Sequence, residues 1–128
     1  MELIAAAREA GALTIRTDPP FRWASGAMMP VYNDNRILMA TPRGRRAVIN
    51  GFADVIAEEG LEFDAVAGTE SAGIAPATLL AERFGCPLYY VRSDSKPHGG
   101  EQRIEGTATE RLDGLRVLLI EDLISTGG

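Results

Sequence analysis

The chain has 128 residues, of which 45% are hydrophobic and 24% are charged. This is the length and composition of one ordinary globular domain, and it argues against disorder, a coiled coil or a collagen-like chain. The formal net charge of −5 disfavours a protein that coats nucleic acid, because that affinity comes from neutralising phosphates. No run approaches the ~20 apolar residues of a membrane span. The charged N-terminus does not read as a secretory signal, so we expect a cytoplasmic protein.

The first forty residues predict a helix followed by irregular structure. Residues 1–10 have helical spacing, and Gly11 is placed to end the helix. Three apolar residues share one helical face: Leu3, Ile4 and Ala7. Prolines and glycines interrupt residues 12–36, which predicts turns and short strands there. We therefore expect residues 1–40 to form an irregular N-terminal hood.

Residues 41–128 predict an α/β core. A helix should begin with Thr41 as its cap and Pro42 in its first position, and should continue to Gly60. Its apolar residues at helical spacing are Val48, Phe52, Val55 and Ile56. A second helix is predicted over residues 73–84, through Ala77, Leu80, Ala81 and Phe84. Apolar runs predict strands over residues 63–68, 87–91 and 117–120.

The strand at residues 117–120 is apolar at every position, which is typical of a parallel strand covered on both faces. Strands that alternate with helices predict an open, mainly parallel α/β sheet flanked by helices in a single domain. Its ligand should lie beyond the carboxyl ends of the strands. Residues 93–105 fit neither helix nor strand periodicity, so we expect a mobile functional loop there, or disorder.

The single cysteine, Cys86, precedes Pro87. One cysteine cannot form an internal disulfide, in agreement with a reducing compartment. We expect a buried free thiol at this position.

The strongest functional signal is the segment VLLIEDLISTGG at residues 117–128. An apolar strand delivers two adjacent acids, Glu121 and Asp122, and a turn of hydroxyls and glycines follows. Carboxylates can accept hydrogen bonds from ribose hydroxyls, and such a turn can bind a phosphate at a helix N-terminus. Each part alone also suits a solvated strand end or an ordinary turn. The order of the parts favours a sugar-phosphate site.

A second glycine turn, residues 67–74 (AGTESAGI), joins the first core strand to the next helix. Its amides also lie at a helix N-terminus. Many strand-to-helix turns look similar, so this turn is weak evidence by itself.

Together these segments resemble the type I phosphoribosyltransferases, whose substrate is phosphoribosyl pyrophosphate (PRPP). The resemblance implies that Glu121 and Asp122 hold the ribose hydroxyls, and that the turn after them holds the 5′-phosphate. The residues implied for PRPP binding are Gly68, Thr69, Glu70, Ser71, Glu121, Asp122, Leu123, Ile124, Ser125, Thr126, Gly127 and Gly128. Arg92 and Lys96 would contact the pyrophosphate. His98 would lie on a closing loop, residues 93–105, that reaches the neighbouring subunit's site in a homodimer.

Three further stretches are similar to the orotate phosphoribosyltransferases in particular: residues 25–36, 90–92 and 96–106. The resemblance implies transfer of the phosphoribosyl group of PRPP to orotate in pyrimidine (UMP) biosynthesis. Tyr32 and Asn33 are the candidate orotate contacts. Mg²⁺ would bind mainly through PRPP oxygens with no direct protein ligand, so a Cys/His cluster is not expected.

This chain departs from the family pattern in three places. Many members carry a basic residue in the stretch matched by residues 24–29, and a second lysine within residues 93–95, but this chain has neither. Family members also continue beyond the residue matched by Gly128, so we expect a truncated sequence. Two alternatives remain open: a phosphoribosyltransferase for a purine or another base, and a regulatory protein that binds PRPP as a sensor.

Overall fold

The computed structural model describes residues 2–23, 25–92, 103–107 and 112–124. The chain divides into two compact units, Met1–Gly51 and Phe52–Gly128. The single-domain organisation expected from the sequence stays a prediction. Within the described ranges, none of the helices has both the length and the apolar character needed to cross a membrane.

The N-terminal unit combines helices with two small antiparallel sheets. Its elements are α1 (Glu2–Glu9), β1 (Leu13–Ile15), β2 (Phe21–Arg22), β3 (Met28–Met29), β4 (Val31–Asn33), α2 (Asn35–Ala40) and the first part of α3 (Pro42–Glu58). Strand β1 pairs with β4, and β2 pairs with β3. The predicted first helix and the predicted short strands are therefore confirmed.

The core of this unit is built largely from alanines. The buried cluster consists of Ala6, Ala7, Ala12, Leu38 and Ala47. Of the three residues on the predicted helical face, Ala7 is buried, whereas Leu3 is 38% exposed and Ile4 is 60% exposed, so the helix turns its small residues inward. Gly11 has a φ of 74°, and the Ala12 N–H donates to the Ala7 carbonyl at 2.8 Å. The left-handed conformation of Gly11 and this hydrogen bond end α1 at the predicted glycine.

The short helix α2 was not predicted. Its cap is Asp34, whose carboxylate accepts a hydrogen bond from the Arg36 N–H at 3.2 Å. Thr41 separates α2 from α3 and caps α3 as predicted, because its hydroxyl accepts from the Gly44 N–H at 3.0 Å. A Cβ at Gly44 would collide with the carbonyl oxygen of Leu38. The glycine therefore allows the two helices to meet at a sharp turn.

The C-terminal unit contains a four-stranded sheet. Besides the end of α3 it holds β5 (Ala65–Thr69), α4 (Ile74–Phe84), β6 (Leu88–Val91), β7 (Ile104–Glu105) and β8 (Val117–Ile120). The strand order is β7-β6-β5-β8, with β5 parallel to both β6 and β8 and with β7 antiparallel to β6. The predicted open, mainly parallel α/β sheet is confirmed. Strand β7 lies inside residues 93–105, so the predicted loop extended too far.

The central strand β5 and the outer strand β8 of this sheet differ in burial. Ala65, Val66 and Ala67 of the central strand β5 are at most 3% exposed, as a strand covered on both faces requires. In β8, however, Val117 is 42% exposed and Leu119 is 56% exposed. The expectation that β8 is covered on both faces was wrong for the described residues, because the alternating side that carries Val117 and Leu119 is exposed.

Helix α4 packs on the sheet through buried residues at helical spacing: Pro76, Ala77, Leu80 and Ala81. Gly85 ends the helix with a φ of 63°. Phe84 is 41% exposed, although its ring meets that of Phe63 edge to face at 5.3 Å. Cys86 follows in the turn before β6 and is free but only half-buried, so its expected burial was wrong. In α3, Val55, which was named as an apolar residue at helical spacing, is likewise 51% exposed.

Candidate functional site

The candidate site lies at one edge of the four-stranded sheet. Strands β5, β6 and β8 are parallel, so their carboxyl ends meet there. The register places Thr69 opposite Val91 and Gly68 opposite Ile120. Four charged residues follow these strand ends: Glu70, Arg92, Glu121 and Asp122. The structure therefore brings together three of the sequence segments that predicted a PRPP site.

The turn between β5 and α4 is packed tightly against the end of β8. A Cβ at Gly68 would lie 2.6 Å from the Gly73 carbonyl oxygen, and a Cβ at Gly73 would lie 2.5 Å from the Ile120 carbonyl oxygen. Both obstacles are backbone atoms, which cannot move aside without shifting the sheet. Glycine at these two positions thus allows the turn and β8 to approach each other. The turn also contains a cis peptide bond between Glu70 and Ser71.

The Glu121 carboxylate is held on both of its oxygens. The Thr69 hydroxyl donates to Oε2 at 2.6 Å, and the Asp122 backbone N–H donates to Oε1 at 2.8 Å. These bonds favour the charged form. The hydrogen bond from Thr69 is the main reason why the pKa of Glu121 lies below its usual value. Glu121 is therefore ionised and oriented at neutral pH.

The neighbouring acid behaves in the opposite way. Partial burial raises the pKa of Asp122, and its hydrogen bond with Glu121 and the negative charge there add to the rise. The negative charge on one carboxyl group thus disfavours ionisation of the other, and Glu121 is the stronger acid of the pair. Adjacent carboxyl groups of this kind can accept hydrogen bonds from two vicinal hydroxyls of a sugar.

Arg92 joins three strands of the sheet. Its guanidinium lies 3.9 Å from the Glu70 carboxylate and 3.6 Å from the Glu105 carboxylate. Both contacts are longer than a hydrogen bond, and the buried Nε of Arg92 has no hydrogen-bond partner within the described part of the chain. The Arg92 backbone N–H donates to the Arg103 carbonyl at 2.8 Å, which fixes the start of its side chain at the sheet edge. The side chain is 28% exposed, so the cation remains accessible.

The predicted orotate contacts belong to the N-terminal unit. Tyr32 lies on β4, is 46% exposed, and has its ring 5.5 Å from that of Phe21. The Asn33 amide donates to the Asn35 side chain at 3.0 Å. Their role in base binding stays a prediction.

Other predicted site residues are exposed or lie outside the described ranges. Leu123 is 54% exposed and Ile124 is 78% exposed. Lys96, His98 and residues 125–128 lie outside the described residues. The roles predicted for all of these residues stay predictions.

Sequence reasoning missed two side-chain relationships. It gave Glu105 no role, although its carboxylate lies beside Arg92, because a two-residue strand leaves no periodic signal. It also did not link Thr69 to Glu121, which are 52 positions apart. The parallel order of β5 and β8 contained that second signal, since it places their carboxyl ends side by side.

Comparison with known proteins agrees with this geometry. Residues 37–128 match the family described as the phosphoribosyl transferase domain. An orotate phosphoribosyltransferase of Streptococcus mutans is 42% identical over 117 residues, which cover 91% of this chain and 54% of that protein. The chain therefore spans about half the length of the curated relatives it matches.

Two solved structures share the fold. The UMP synthase of Leishmania donovani superposes with a TM-score of 0.75 at 30% identity, over 98% of this chain and 25% of that one. The orotate phosphoribosyltransferase of Aeropyrum pernix gives a TM-score of 0.68 at 29% identity, over 83% of this chain and 58% of that one. The predicted type I phosphoribosyltransferase fold is confirmed, and the chain belongs to the phosphoribosyltransferase domain family.

Proposed function

We propose that the protein transfers the phosphoribosyl group of PRPP to orotate, giving orotidine 5′-monophosphate and pyrophosphate. The similarity to orotate phosphoribosyltransferases, 42% identity over 91% of the chain for the Streptococcus mutans protein, supports the choice of reaction. The observation that carries the proposal is the sheet edge where Thr69, Arg92 and Glu121 meet. It combines acceptors for sugar hydroxyls with a cation for a phosphate.

In this proposal Glu121 and Asp122 bind the ribose. Both oxygens of Glu121 already accept one hydrogen bond each, and a carboxylate oxygen can accept two. The fixed carboxylate therefore still has acceptor positions for a ribose hydroxyl. Orientation of this kind lowers the barrier because the reacting carbon is held in place before the bond to pyrophosphate breaks.

The leaving pyrophosphate requires positive charge. Four carboxylates lie at the described sheet edge, on Glu70, Glu105, Glu121 and Asp122. The charge of Arg92 alone does not balance them. We propose that Lys96 and His98 supply further positive charge and hydrogen-bond donors to the departing anion. Substrate binding would also draw Arg92 toward the pyrophosphate, in competition with its two long ion pairs.

The residues present fit Mg²⁺. Glu121 and Asp122 offer carboxylate oxygens, the donor type that Mg²⁺ prefers, and they would hold its bound waters while PRPP oxygens bind the ion directly. When bound, Mg²⁺ neutralises charge on the pyrophosphate. We further propose that the protein acts as a cytoplasmic homodimer and that Tyr32 and Asn33 contact orotate.

The test is consumption of PRPP by the purified protein with Mg²⁺ and one base at a time. We expect turnover with orotate and release of one pyrophosphate per orotidine 5′-monophosphate. Turnover with adenine or hypoxanthine and none with orotate would contradict the proposal. PRPP binding without turnover on any base would favour a PRPP sensor instead.

A further inference from the structure

The hydroxyl of Thr69 makes a contact that a role in direct substrate binding does not explain. It donates to Glu121 Oε2 at 2.6 Å, a length typical of a charge-assisted hydrogen bond from a hydroxyl to a carboxylate. The only other acceptor that the described residues place near it is the Ile120 carbonyl, at 3.3 Å. A hydroxyl has one proton to donate. That proton is therefore committed to the carboxylate.

The surroundings of Thr69 hold this side chain in place. A Cβ at Gly73 would lie 2.6 Å from Thr69 Oγ1 and 2.8 Å from the Thr69 backbone nitrogen. The hydroxyl is thus enclosed between the turn before α4 and the end of β8. Because threonine is branched at Cβ, its χ1 rotation is already restricted. The hydroxyl therefore presents a fixed donor to Glu121 and needs no reorganisation when substrate binds.

We propose that Thr69 is a positioning residue, which orients the Glu121 carboxylate for the ribose hydroxyls of PRPP through its side-chain hydroxyl. This role lies beyond the direct PRPP contact that the family resemblance implies for Thr69. The inference rests on the proposed function, because it requires Glu121 to bind the sugar. The lowered pKa of Glu121 agrees with it, since the Thr69 hydrogen bond is the largest cause of that shift.

The opposing explanation is that Thr69 only fills space in the turn. Two substitutions separate the explanations. Thr69→Val preserves the shape and the β-branch but removes the donor, whereas Thr69→Ser preserves the donor but removes a methyl group. A packing role predicts that the serine variant is the more impaired. A positioning role predicts that the valine variant is the more impaired, because it lacks the hydroxyl donor.

The experiment is titration calorimetry of PRPP with Mg²⁺ against the wild type, Thr69→Val, Thr69→Ser, Glu121→Ala and the double variant Thr69→Val/Glu121→Ala. A lost hydrogen bond to a charged group predicts that Thr69→Val weakens PRPP binding roughly ten-fold. Thr69→Ser should stay within about two-fold of the wild type. In the Glu121→Ala background, Thr69→Val should have no further effect, because its target is absent. Thr69→Ala replaces Thr69→Val if the valine variant does not fold.

Wild-type affinity in Thr69→Val would overturn the inference. So would an equal loss of affinity in the presence and absence of Glu121, since Thr69 would then act on PRPP directly or through packing. Turnover separates these failures from failure of the proposed function. If the wild type binds PRPP but does not use orotate, the reaction assignment fails while the Thr69 series still decides this inference.

Discussion

Strands β5 and β8 carry charged residues at both of their ends, and the two ends are built differently. Where the strands begin, the Asp64 carboxylate accepts three hydrogen bonds from Arg116, of 2.9, 3.2 and 3.0 Å, and the Glu62 carboxylate accepts another from the Arg116 guanidinium at 2.6 Å. Where the strands end, Glu121 takes its hydrogen bonds from a neutral hydroxyl and a backbone amide. The second acid there, Asp122, has a raised pKa.

The two ends therefore differ in how completely their charges are paired. At the starting end, each charged group forms an ion pair with an opposite charge. A charged ligand would therefore gain little by binding there. At the finishing end, like charges are neighbours, and the ion pairs that the described residues form with the Arg92 side chain are long. Such an arrangement costs stability in the free protein and is relieved when a cation or hydroxyl groups bind.

The comparison is tested most strongly by removing one arginine from each end. Arg92→Met should lower kcat/KM for PRPP roughly 100-fold, because a donor to the leaving pyrophosphate is lost. Its Tm should change little, since the buried Nε makes no hydrogen bond among the described residues. Arg116→Met should do the reverse, lowering Tm and leaving turnover unchanged. Steady-state kinetics and thermal melts check both variants, and equal effects on turnover would end the distinction between the two ends.

The second test concerns the close packing at the finishing end. Gly73→Ala should lower the free energy of unfolding by about 2 kcal/mol, because its Cβ meets backbone atoms of Ile120 and Thr69. Gly51→Ala is the matched control, since its Cβ would lie 3.6 Å from a Leu3 methyl group, an ordinary contact. Within α3 that alanine should leave stability unchanged or raise it by up to about 1 kcal/mol. Urea denaturation measures both changes. If the urea midpoint of Gly73→Ala equalled that of the wild type, the turn would accommodate the added Cβ without loss of stability.

A smaller effect is expected from Asp122. Its folded-state pKa is raised, so the charged form is disfavoured in the folded protein, and this penalty is present at neutral pH and relieved as the pH falls through that pKa. Asp122→Asn should therefore raise Tm at neutral pH by about 1–2 °C, while weakening PRPP binding. Thermal melts at neutral and acidic pH check this, since the gain should shrink as the wild-type carboxyl becomes protonated. A lower Tm at neutral pH would contradict the assigned penalty.

The smallest effect is the pH dependence of the starting end. Hydrogen bonds from Arg116 lower the pKa of Asp64, so its stabilising contribution is present above its unfolded pKa of about 3.9 and is lost as the pH falls through the lower folded value. Wild-type Tm should thus decrease in acid more steeply than that of Asp64→Asn. Calorimetric melts from about pH 7 to about pH 3 measure the two slopes. Parallel slopes would show that this exposed pair contributes nothing measurable.

Much of this arrangement could be predicted from the sequence, because local patterns determine it. The apolar run at residues 117–120 placed β8 to the residue, and Thr41 marked the start of α3 correctly. The glycine turn after β5 and the acids after β8 were assigned to one site, which the parallel sheet brings together. These features depend on spacing, capping and turn chemistry, which are determined by residues close together in the sequence.

What could not be predicted depends on partners distant in sequence. The exposure of Leu119 depends on which elements pack on that side of β8, and the apolar sequence of β8 does not reveal them. Strand β7 and the contact of Glu105 with Arg92 arise from pairing with β6 over two residues only. The Thr69 to Glu121 hydrogen bond, likewise, required the register between β5 and β8.

That register also links the candidate site to a contact between distant parts of the sequence. Ala65 pairs with Val117, so a contact across 52 positions must close before Gly68 and Gly73 meet the end of β8. Parallel pairing over such a distance forms slowly compared with the local helices α3 and α4. The edge that holds Thr69 and Glu121 therefore requires this long-range pairing to be in place. If this edge binds PRPP as proposed, PRPP should slow unfolding without accelerating folding.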